Sequence, residues 1–497
     1  MRQTNAVVIM AALAAASSFA ALMSEPAFAD GPPRPIGSGL QLFVDDWLIA
    51  NMKGAALRLH EPVPREAVFT FDAKWEGSQS GYVAILRDGD AIRMYYRGGG
   101  DLVREYTCLA ESKDGIRWTR PSLRLMEFDG SKDNNILWTG KRKAYDESHN
   151  FSPFLDENPA APPDQRYKAL TLARSYDARG ERKNVLVAFV SADGIRWKRL
   201  REEPVITEGS FDSQNIAFWD RIQARYVCYS RMTQQGKRSI SRCTSADFLQ
   251  WTKPQLLDFG GTPIEHFYTN AITPYFRAPH LYIGLPMRFV PPSERNHVGA
   301  ERRETDGLSD AVFMASRDGL RWSRTFLEAF IRPGADPLNW GGAHGNQTPA
   351  WGILQTGPTE MSVYWSEHYD NYPKTNTIPF LRRGTLRLDG FVSVHAGYSG
   401  GEMTTRPLQF KGKRLVINYS TSAVGGVKVE VQDEGGKPIP GFALNDSIEI
   451  WGDEIERTVA WKGGHDVSRL SGRPVRLRFV MKDADLYSIR FAADAPS

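Results

Sequence analysis

Short runs of hydrophobic residues, rich in β-branched and aromatic side chains, alternate with clusters of turn residues along most of the chain. No long stretch shows the 3.6-residue spacing of an amphipathic helix, so this pattern predicts an all-β protein. The predicted strands cover residues 40–49, 82–86, 92–97, 106–110, 167–174, 185–190, 226–231, 239–244, 281–288, 311–315, 361–367 and 377–386. Further strands are predicted at residues 414–419, 427–432, 448–451 and 475–481.

A seven-residue motif, Ser-x-Asp-Gly-x-x-Trp, recurs between these strands. Copies begin at Ser112, Ser191, Ser245 and Ser316, and a weaker fifth copy covers residues 388–391. In such a turn the Ser and Asp side chains bind nearby backbone N–H groups, and glycine adopts the left-handed conformation. Because Phe248 replaces that glycine in the third copy, we expect this turn to differ in detail. The motif predicts a structural turn, and its Asp residues are not predicted to be catalytic.

The repeat predicts the architecture. Each copy has three strands before the turn and one after it, which is the strand content of one propeller blade. Five turns therefore predict a five-bladed β-propeller within residues 30–396, with the early strand 40–49 closing the ring beside the last blade. A Gly- and Ser-rich linker at residues 395–402 is predicted to lead to an accessory β-sandwich at residues 403–497.

The N-terminus has the features of a secretory signal peptide over residues 1–29. Arg2 precedes an Ala-rich apolar segment, and Ala-Phe-Ala at residues 27–29 is a small-x-small cleavage site before Asp30. A single membrane anchor is the alternative interpretation. No later segment has the roughly 18 apolar residues of a spanning helix. We therefore expect the mature chain to be periplasmic or secreted, with no membrane span after cleavage.

Charge and cysteine content exclude two classes of protein. A formal net charge of +4 on 497 residues does not indicate a nucleic-acid partner. Three cysteines cannot form a disulfide framework. Cys228 and Cys243 are nevertheless expected to lie nearly opposite each other in a hairpin, where they either form a disulfide or remain buried thiols. Nothing in the sequence indicates the oligomeric state.

Polar residues occur where the predicted inner strands begin. These positions lie on the face opposite the repeated turns, around the mouth of the central channel, and polar groups there need water or a ligand. The candidate residues are Glu76, His149, Asn150, Asp212, Asn215, Glu265, His266, Asn270, His344 and Asn346. The predicted second strands end on the same face, at Arg97, Arg174, Arg231, Arg288 and Glu367.

The four arginines at this mouth have two interpretations. They either pair with the neighbouring carboxylates or bind an anionic group of a ligand through bidentate hydrogen bonds. A uronate-bearing or sulfated sugar would suit the second interpretation. Residues 290–307 form a charged, unpatterned segment on the same side, which is either a lid or a plain surface loop.

The five blades, the Ser-x-Asp-Gly-x-x-Trp turns and the C-terminal β-sandwich resemble the superfamily of invertases, levansucrases and arabinanases, which includes glycoside hydrolase families 32, 43, 68 and 117. The resemblance covers most of the mature chain and is architectural, since the N-D-P-N and R-D-P motifs of invertases do not occur in this sequence. It implies an exported glycoside hydrolase that cleaves an oligo- or polysaccharide with carboxylates at the channel mouth.

Hydrolysis of a glycosidic bond needs an acid and a base or nucleophile. We expect Glu265 to be the general acid and Asp212 or Glu76 to be the base or nucleophile. Glu367 and Asp45 are further candidates for either role. No metal-ligand spacing is present, so no cofactor is expected, although a divalent ion such as calcium in the channel stays an alternative.

The resemblance leaves other activities open. Family 117 enzymes use a histidine as the acid, so His149, His266 and His344 are alternatives to Glu265. The repeated turn is also similar to the sialidase Asp-box, which makes a sialidase-like hydrolase the second enzyme class and a polysaccharide lyase the third. A carbohydrate-binding propeller without catalysis is the non-enzyme alternative.

Overall fold

A computed structural model describes residues 31–99, 105–139, 141–142, 145–176, 179–294, 307–340, 346–369 and 378–493. The predicted signal peptide and His344 lie outside these residues, as does most of the segment 290–307. Strands dominate the described chain, and its four helices are short 3-10 turns at Pro163–Gln165, Pro292–Glu294, Pro337–Trp340 and Ser468–Leu470. No helix in the described ranges has the length and apolar character to cross a bilayer.

Five antiparallel blades form the propeller, as predicted. Blade 1 consists of Gly81–Asp88, Ala91–Gly98, Tyr106–Ser112, Trp118–Thr119 and Ile136–Thr139, and a small hairpin, Lys141–Arg142 with Tyr145–Asp146, follows it. Blade 2 consists of Ser152–Leu155, Tyr167–Tyr176, Arg182–Ser191 and Lys198–Arg199. Blade 3 consists of Ile216–Asp220, Arg225–Gln234, Lys237–Ser245 and Gln255–Leu256.

Blade 4 is divided into two ladders. The ladder at the channel mouth contains His266–Phe267, Met287–Val290, Leu308–Val312 and Ala329–Ile331, and the other contains Thr273–Tyr275, Ala278–Gly284, Met314–Ser316 and Trp322–Ser323. The single strand predicted at residues 281–288 is therefore broken. Pro286 lies at the break, and proline cannot donate a ladder hydrogen bond.

Blade 5 is closed by a strand that the sequence did not predict. Its strands are Thr348–Pro349, Leu354–Gln355, Glu360–Glu367, Phe380–Arg387 and, from the N-terminal part of the chain, Val63–Thr70. Val63–Thr70 pairs with Phe380–Arg387 as the outermost strand. The prediction that residues 40–49 close the ring is wrong, because Gln41–Leu42 and Ile49–Lys53 pair with strands of the C-terminal sheet.

The C-terminal unit is a ten-stranded sheet folded over its own core, which is the predicted β-sandwich. Two long strands, Arg414–Asp433 and Val475–Ala492, pair along most of their length with irregularities that bend the sheet. Residues 448–451, predicted as a strand, form only an isolated bridge at Ile450. The other strands are Arg34–Gly37, Gln41–Leu42, Ile49–Lys53, Ala55–Leu59, Val392–Ala396, Gly401–Thr405, Leu408–Phe410 and Asp453–Thr458. By strand pairing, residues 34–59 and 392–396 thus belong with this sheet, whereas the predicted boundaries placed them with the propeller.

The repeated turns join neighbouring blades. In the first copy, Ser112 Oγ accepts a hydrogen bond from the N–H of Gly115 at 2.9 Å, and Asp114 Oδ1 accepts two more backbone bonds at 2.8 Å. The Trp118 indole donates back to the Gly115 carbonyl at 3.1 Å. Tyr364 of blade 5 donates to the same carbonyl at 2.8 Å, so the turn fastens the last blade to the first.

The third turn keeps most of this geometry although it lacks the glycine. Phe248 adopts a left-handed φ of +67°, and Asp247 Oδ1 accepts two backbone bonds at 2.7 and 2.8 Å as in the other copies. The Trp251 indole donates to the Phe248 carbonyl at 3.1 Å. The bond from the backbone N–H of this position to the turn serine, which Gly115, Gly194 and Gly319 each form at 2.9 Å, is not among the hydrogen bonds of the third turn in the described chain, so this turn differs in one detail, as expected. The Phe248 ring is fully buried against Phe154 of the preceding blade, and this burial compensates for the strained backbone.

Asp389 of the fifth turn anchors the two units to each other. Its buried carboxylate accepts hydrogen bonds from Tyr275 Oη at 2.8 Å, Asn418 Nδ2 at 3.2 Å and Ser488 Oγ at 2.9 Å. Arg277 supplies a positive charge at 3.2 Å. Because these partners come from blade 4 and from both long strands of the C-terminal sheet, the turn is a structural junction.

Candidate functional site

The structure brings together one group of side chains at the predicted channel mouth. Arg97 of blade 1 donates to Asn150 of blade 2, the His149 ring approaches the Asp212 carbonyl of blade 3, and Arg231 of blade 3 donates to the Tyr268 carbonyl of blade 4. We call this group the mouth cluster and define it as Tyr82, Arg97, Glu105, His149, Asp212, Arg231, Tyr268 and Tyr369.

Glu105 is the largely enclosed carboxylate of this cluster, with 10% of its side chain exposed. Both of its oxygens contact His149 Nδ1, at 2.8 and 3.0 Å, and Arg97 Nη1 lies 3.6 Å away. Burial opposes ionisation, but the hydrogen bond with His149 and the charge of Arg97 outweigh it and lower the pKa of Glu105 to about 2. Glu105 is therefore a carboxylate that fixes the orientation of the His149 ring.

His149 and Asp212 are adjacent at the surface of the cluster. With Nδ1 held by Glu105, His149 Nε2 points to the Asp212 backbone carbonyl at 3.4 Å. The Asp212 side chain is 54% exposed, while its Oδ1 accepts a hydrogen bond from Arg231 at 2.8 Å. The oriented imidazole thus contacts the backbone of the residue that carries the exposed carboxylate.

Three tyrosines surround the two arginines. The Arg97 guanidinium lies 4.5 Å from the ring centre of Tyr82 and also donates to Tyr369 Oη and, twice, to the Gln79 carbonyl. The Arg231 guanidinium lies 4.3 Å from the ring centre of Tyr268. Burial and the neighbouring tyrosines raise the pKa of Tyr82 well above its usual value. These contacts hold both cations in place and keep the Tyr82 phenol protonated.

Buried amides lie beneath the cluster. Gln214 Nε2 reaches across the channel to the Val83 carbonyl at 3.1 Å. Among the described residues, Gln214 Oε1, Asn215 Oδ1 and both polar atoms of the Gln347 side chain are buried without a protein partner. The predicted candidates Asn270 and Asn346 instead bind the backbone, at the Gln214 carbonyl and the Tyr369 N–H respectively.

Glu76 and Glu265 are held in ion pairs away from the mouth cluster. The Glu76 side chain is fully enclosed and accepts hydrogen bonds from Arg120 at 2.8 and 3.0 Å and from Tyr96. Glu265 Oε1 accepts from Arg288 at 3.0 Å, and its Oε2 accepts from the buried Arg324. Since both oxygens of each carboxylate are occupied by donors, this arrangement suits a structural ion pair better than proton transfer.

The remaining candidates are also occupied. Glu367 accepts from Arg382 at 2.5 Å and from Asn339 at 3.0 Å, and Asp45 pairs with Arg317 beside the fourth turn, on the opposite face. Arg288 is further paired with Asp310 at 2.6 Å. The predicted His266 accepts a hydrogen bond from the Arg238 N–H at 3.2 Å, and its ring lies 3.7 Å from Glu294.

One group of described residues has the composition of a metal site. The ligand atoms of Asp336, Glu367 and His368 lie within 4.8 Å of one another. Arg382, however, already supplies a positive charge to Glu367, and His368 Nε2 contacts Asp336 at 2.8 Å. This charge balance gives no reason to place a cation there, and the absence of a cofactor stays a prediction.

Sequence reasoning missed Glu105 and the three tyrosines of the mouth cluster. Glu105 immediately precedes the third strand of blade 1, whereas only inner-strand starts and second-strand ends were considered. Tyr82 has a left-handed φ of +51°, which turns the inner strand at its start and which the sequence pattern does not encode. A search of the third-strand starts would have found Glu105.

No protein-family model matches the chain, and the comparison with curated proteins gave no match. Among solved structures, the chain is similar to a GH32 β-fructofuranosidase from Bombyx mori, with a TM-score of 0.42 and 10% identity over 87% of this chain and 95% of that chain. It is also similar to an N-acetylgalactosamine deacetylase from F. plautii, with a TM-score of 0.42 and 10% identity over 67% of this chain and 95% of that chain. A putative glycoside hydrolase from Bacteroides ovatus gives a TM-score of 0.39 and 12% identity over 68% of this chain and 98% of that chain. At these TM-scores and identities the matches carry no activity over to this chain.

Proposed function

We propose that the chain is an exported glycoside hydrolase whose reaction takes place at the mouth cluster. The observation that carries the proposal is that His149, whose ring is oriented by the largely enclosed carboxylate of Glu105, contacts the backbone of Asp212, whose carboxylate is 54% exposed. Glycoside hydrolysis needs two such groups, one to donate a proton and one to activate water or attack the sugar.

The proposed roles are those of an acid and of a base or nucleophile. His149 Nε2 donates a proton to the leaving oxygen as the bond between this oxygen and the anomeric carbon breaks. Asp212 either takes a proton from the attacking water or bonds to the anomeric carbon and is released by water in a second step. In both cases one water molecule is added across the bond, and Glu105 holds the His149 ring through Nδ1.

The sequence leaves open whether the substrate is an acidic or sulfated sugar or a neutral one. Mouth arginines have protein carboxylates as partners: Arg97 pairs with Glu105, Arg231 with Asp212, and Arg288 with Glu265, and Arg174 adds to the positive charge that acts on Glu105. These pairs provide the alternative explanation of the arginines that the sequence had left open. We therefore propose a substrate that does not require an anionic group.

The mouth cluster favours this mechanism over a sialidase-like one. A sialidase-like reaction needs a tyrosine that loses its proton to become a nucleophile. Tyr82 has a raised pKa because it is buried among other tyrosines, so its phenolate is disfavoured. A carbohydrate-binding propeller without turnover is the second candidate function. The amide atoms of Gln214, Asn215 and Gln347 that have no protein partner among the described residues suit a bound sugar in this function as much as in the hydrolase.

The experiment is a hydrolysis screen of the mature chain on neutral and acidic plant and algal glycans, with three variants. We expect sugar release by the wild type and its loss, by at least about a hundredfold in kcat, in Asp212→Asn and His149→Gln. His266→Gln is the matched control, since it removes another imidazole on the same face, and it should keep the wild-type rate. Full turnover in both Asp212→Asn and His149→Gln would exclude the site, and binding without release from any glycan would establish the non-catalytic function.

A further inference from the structure

A cavity lies at the end of the propeller channel opposite the mouth cluster, where the inner strands end. Its volume is about 540 Å³, which is within the range of roughly 300–1,000 Å³ found for small-molecule sites. All five blades contribute to its lining, through residues that include Leu86, Leu155, Trp219, Phe276 and Trp351. The cavity is therefore a preformed depression on the propeller axis.

Hydrogen bonds across the channel separate this cavity from the mouth cluster. The Ile85 N–H donates to the Trp351 carbonyl, and the Trp351 N–H donates to the Val83 carbonyl, each at 2.8 Å. Gln214 spans from blade 3 to the same Val83 carbonyl, and the Trp351 indole donates to the Ile272 carbonyl of blade 4 at 2.8 Å. A ligand in the cavity is thus distinct from a substrate at the mouth.

The lining combines aromatic walls with a charged rim. Phe276 is 40% exposed, and Trp219 of the neighbouring blade is half-buried beside it. On the rim, Arg221 and Glu157 form a bidentate ion pair with N–O distances of 2.6 and 2.7 Å, and their side chains are 60% and 42% exposed. The rim therefore offers hydrogen-bond donors and acceptors in this pair, and Arg87, whose guanidinium donates to the Gln355 carbonyl at 3.2 Å, adds a further donor to the lining.

We propose that this cavity is a second carbohydrate-binding site, which holds one ring of a neutral sugar on the face opposite the mouth. The negative face of an aromatic ring attracts the C–H groups on the flat side of a sugar ring. The sugar hydroxyls, at the edge of that ring, would meet the donors of Arg221 and the acceptors of Glu157. The aromatic walls and the mutual neutralisation of Arg221 and Glu157 match the C–H groups and hydroxyls of a neutral sugar, which is the reason for this choice.

The test measures binding of the methyl glycosides of glucose, galactose, mannose and xylose by saturation-transfer NMR and calorimetry. We expect at least one of the four to bind the wild type, and Phe276→Ala and Arg221→Met each to weaken this binding at least about tenfold or remove one site from the stoichiometry. Asp212→Asn should keep the site, because the mouth is separate. Trp451→Ala is the matched control, since it removes a 74% exposed aromatic residue of the C-terminal unit, and it should bind as the wild type does.

Three results would overturn the proposal. The first is that none of the four glycosides binds the wild type, and the second is that binding is unchanged in both cavity variants. The third is that Asp212→Asn abolishes the binding, which would place the sugar at the mouth. Arg221→Met alters only an exposed side chain, so it remains informative if Phe276→Ala fails to fold. Since the readout is binding, failure of the proposed hydrolysis and failure of this site are distinguishable.

Discussion

Replacement of Glu105 by glutamine tests the electrostatics of the mouth cluster directly. The pKa of Glu105 is lowered from its ordinary value of 4.5 to about 2, net of burial, by the hydrogen bond with His149 and the charge of Arg97. This difference corresponds to about 3 kcal/mol of stabilisation of the folded state at neutral pH. We therefore expect Glu105→Gln to reduce the free energy of unfolding by about 3 kcal/mol at pH 7.

The pH dependence gives the sign of this effect. Because the folded pKa of Glu105 is depressed, its stabilisation is complete above its unfolded pKa of 4.5 and is lost as the pH falls towards about 2. At pH 3 about 2 of the 3 kcal/mol should be gone, so wild type and Glu105→Gln should differ by only about 1 kcal/mol. Urea unfolding of both proteins from pH 3 to pH 7 measures this difference.

A control variant separates the buried site from general charge effects. Glu111 lies 3.5 Å from Arg93 with 37% of its side chain exposed, and Glu111→Gln should change stability by less than about 1 kcal/mol at any of these pH values. The reasoning is refuted if the difference between wild type and Glu105→Gln is as large at pH 3 as at pH 7. A loss of turnover in Glu105→Gln without a matching loss of substrate binding would further support its role in orienting His149.

Three further predictions concern the blades, the ion pairs and the thiols. Gly194→Ala should destabilise the protein by about 2–4 kcal/mol in thermal or urea unfolding, because the added Cβ would lie 2.6 Å from Tyr95 Oη and break the bond from Tyr95 to the turn carbonyl. Gly130→Ala is the control, since Gly130 has a similar positive φ and no atom within 4 Å of the added Cβ. An equal loss of stability in Gly130→Ala would attribute the effect to φ alone. Glu265→Gln should cost about 3–5 kcal/mol of stability, because it removes a charge partner of the buried Arg324, but should keep turnover; a folded, inactive variant would restore Glu265 as the catalytic acid. The denatured chain should titrate three thiols, since all three cysteines are free, and a count of one would show that the two facing each other across the hairpin of blade 3 are bonded.

The candidate site shows where reasoning from the sequence stopped. The mouth position of His149, Asp212 and Arg231 follows from blade periodicity, because residues at equivalent places in each repeat converge on the channel axis. Which carboxylate is exposed and which is enclosed does not follow from that periodicity. Glu76 is enclosed because Arg120, which follows it by 44 residues in blade 1, pairs with its carboxylate, and no local pattern predicts this contact. The Asp212 side chain, by contrast, is 54% exposed.

By itself, the sequence determined the blades and the turns between them. The turn hydrogen bonds join residues within three positions of each other, as Asp114 does with the N–H groups that follow it, so a short motif contains all the necessary groups. Only the tertiary structure decided which strand closes blade 5 and which carboxylate orients His149. Those choices depend on contacts between residues far apart in the chain, such as the pairing of Val63–Thr70 with Phe380–Arg387, where burial and charge compensation in three dimensions select the partner.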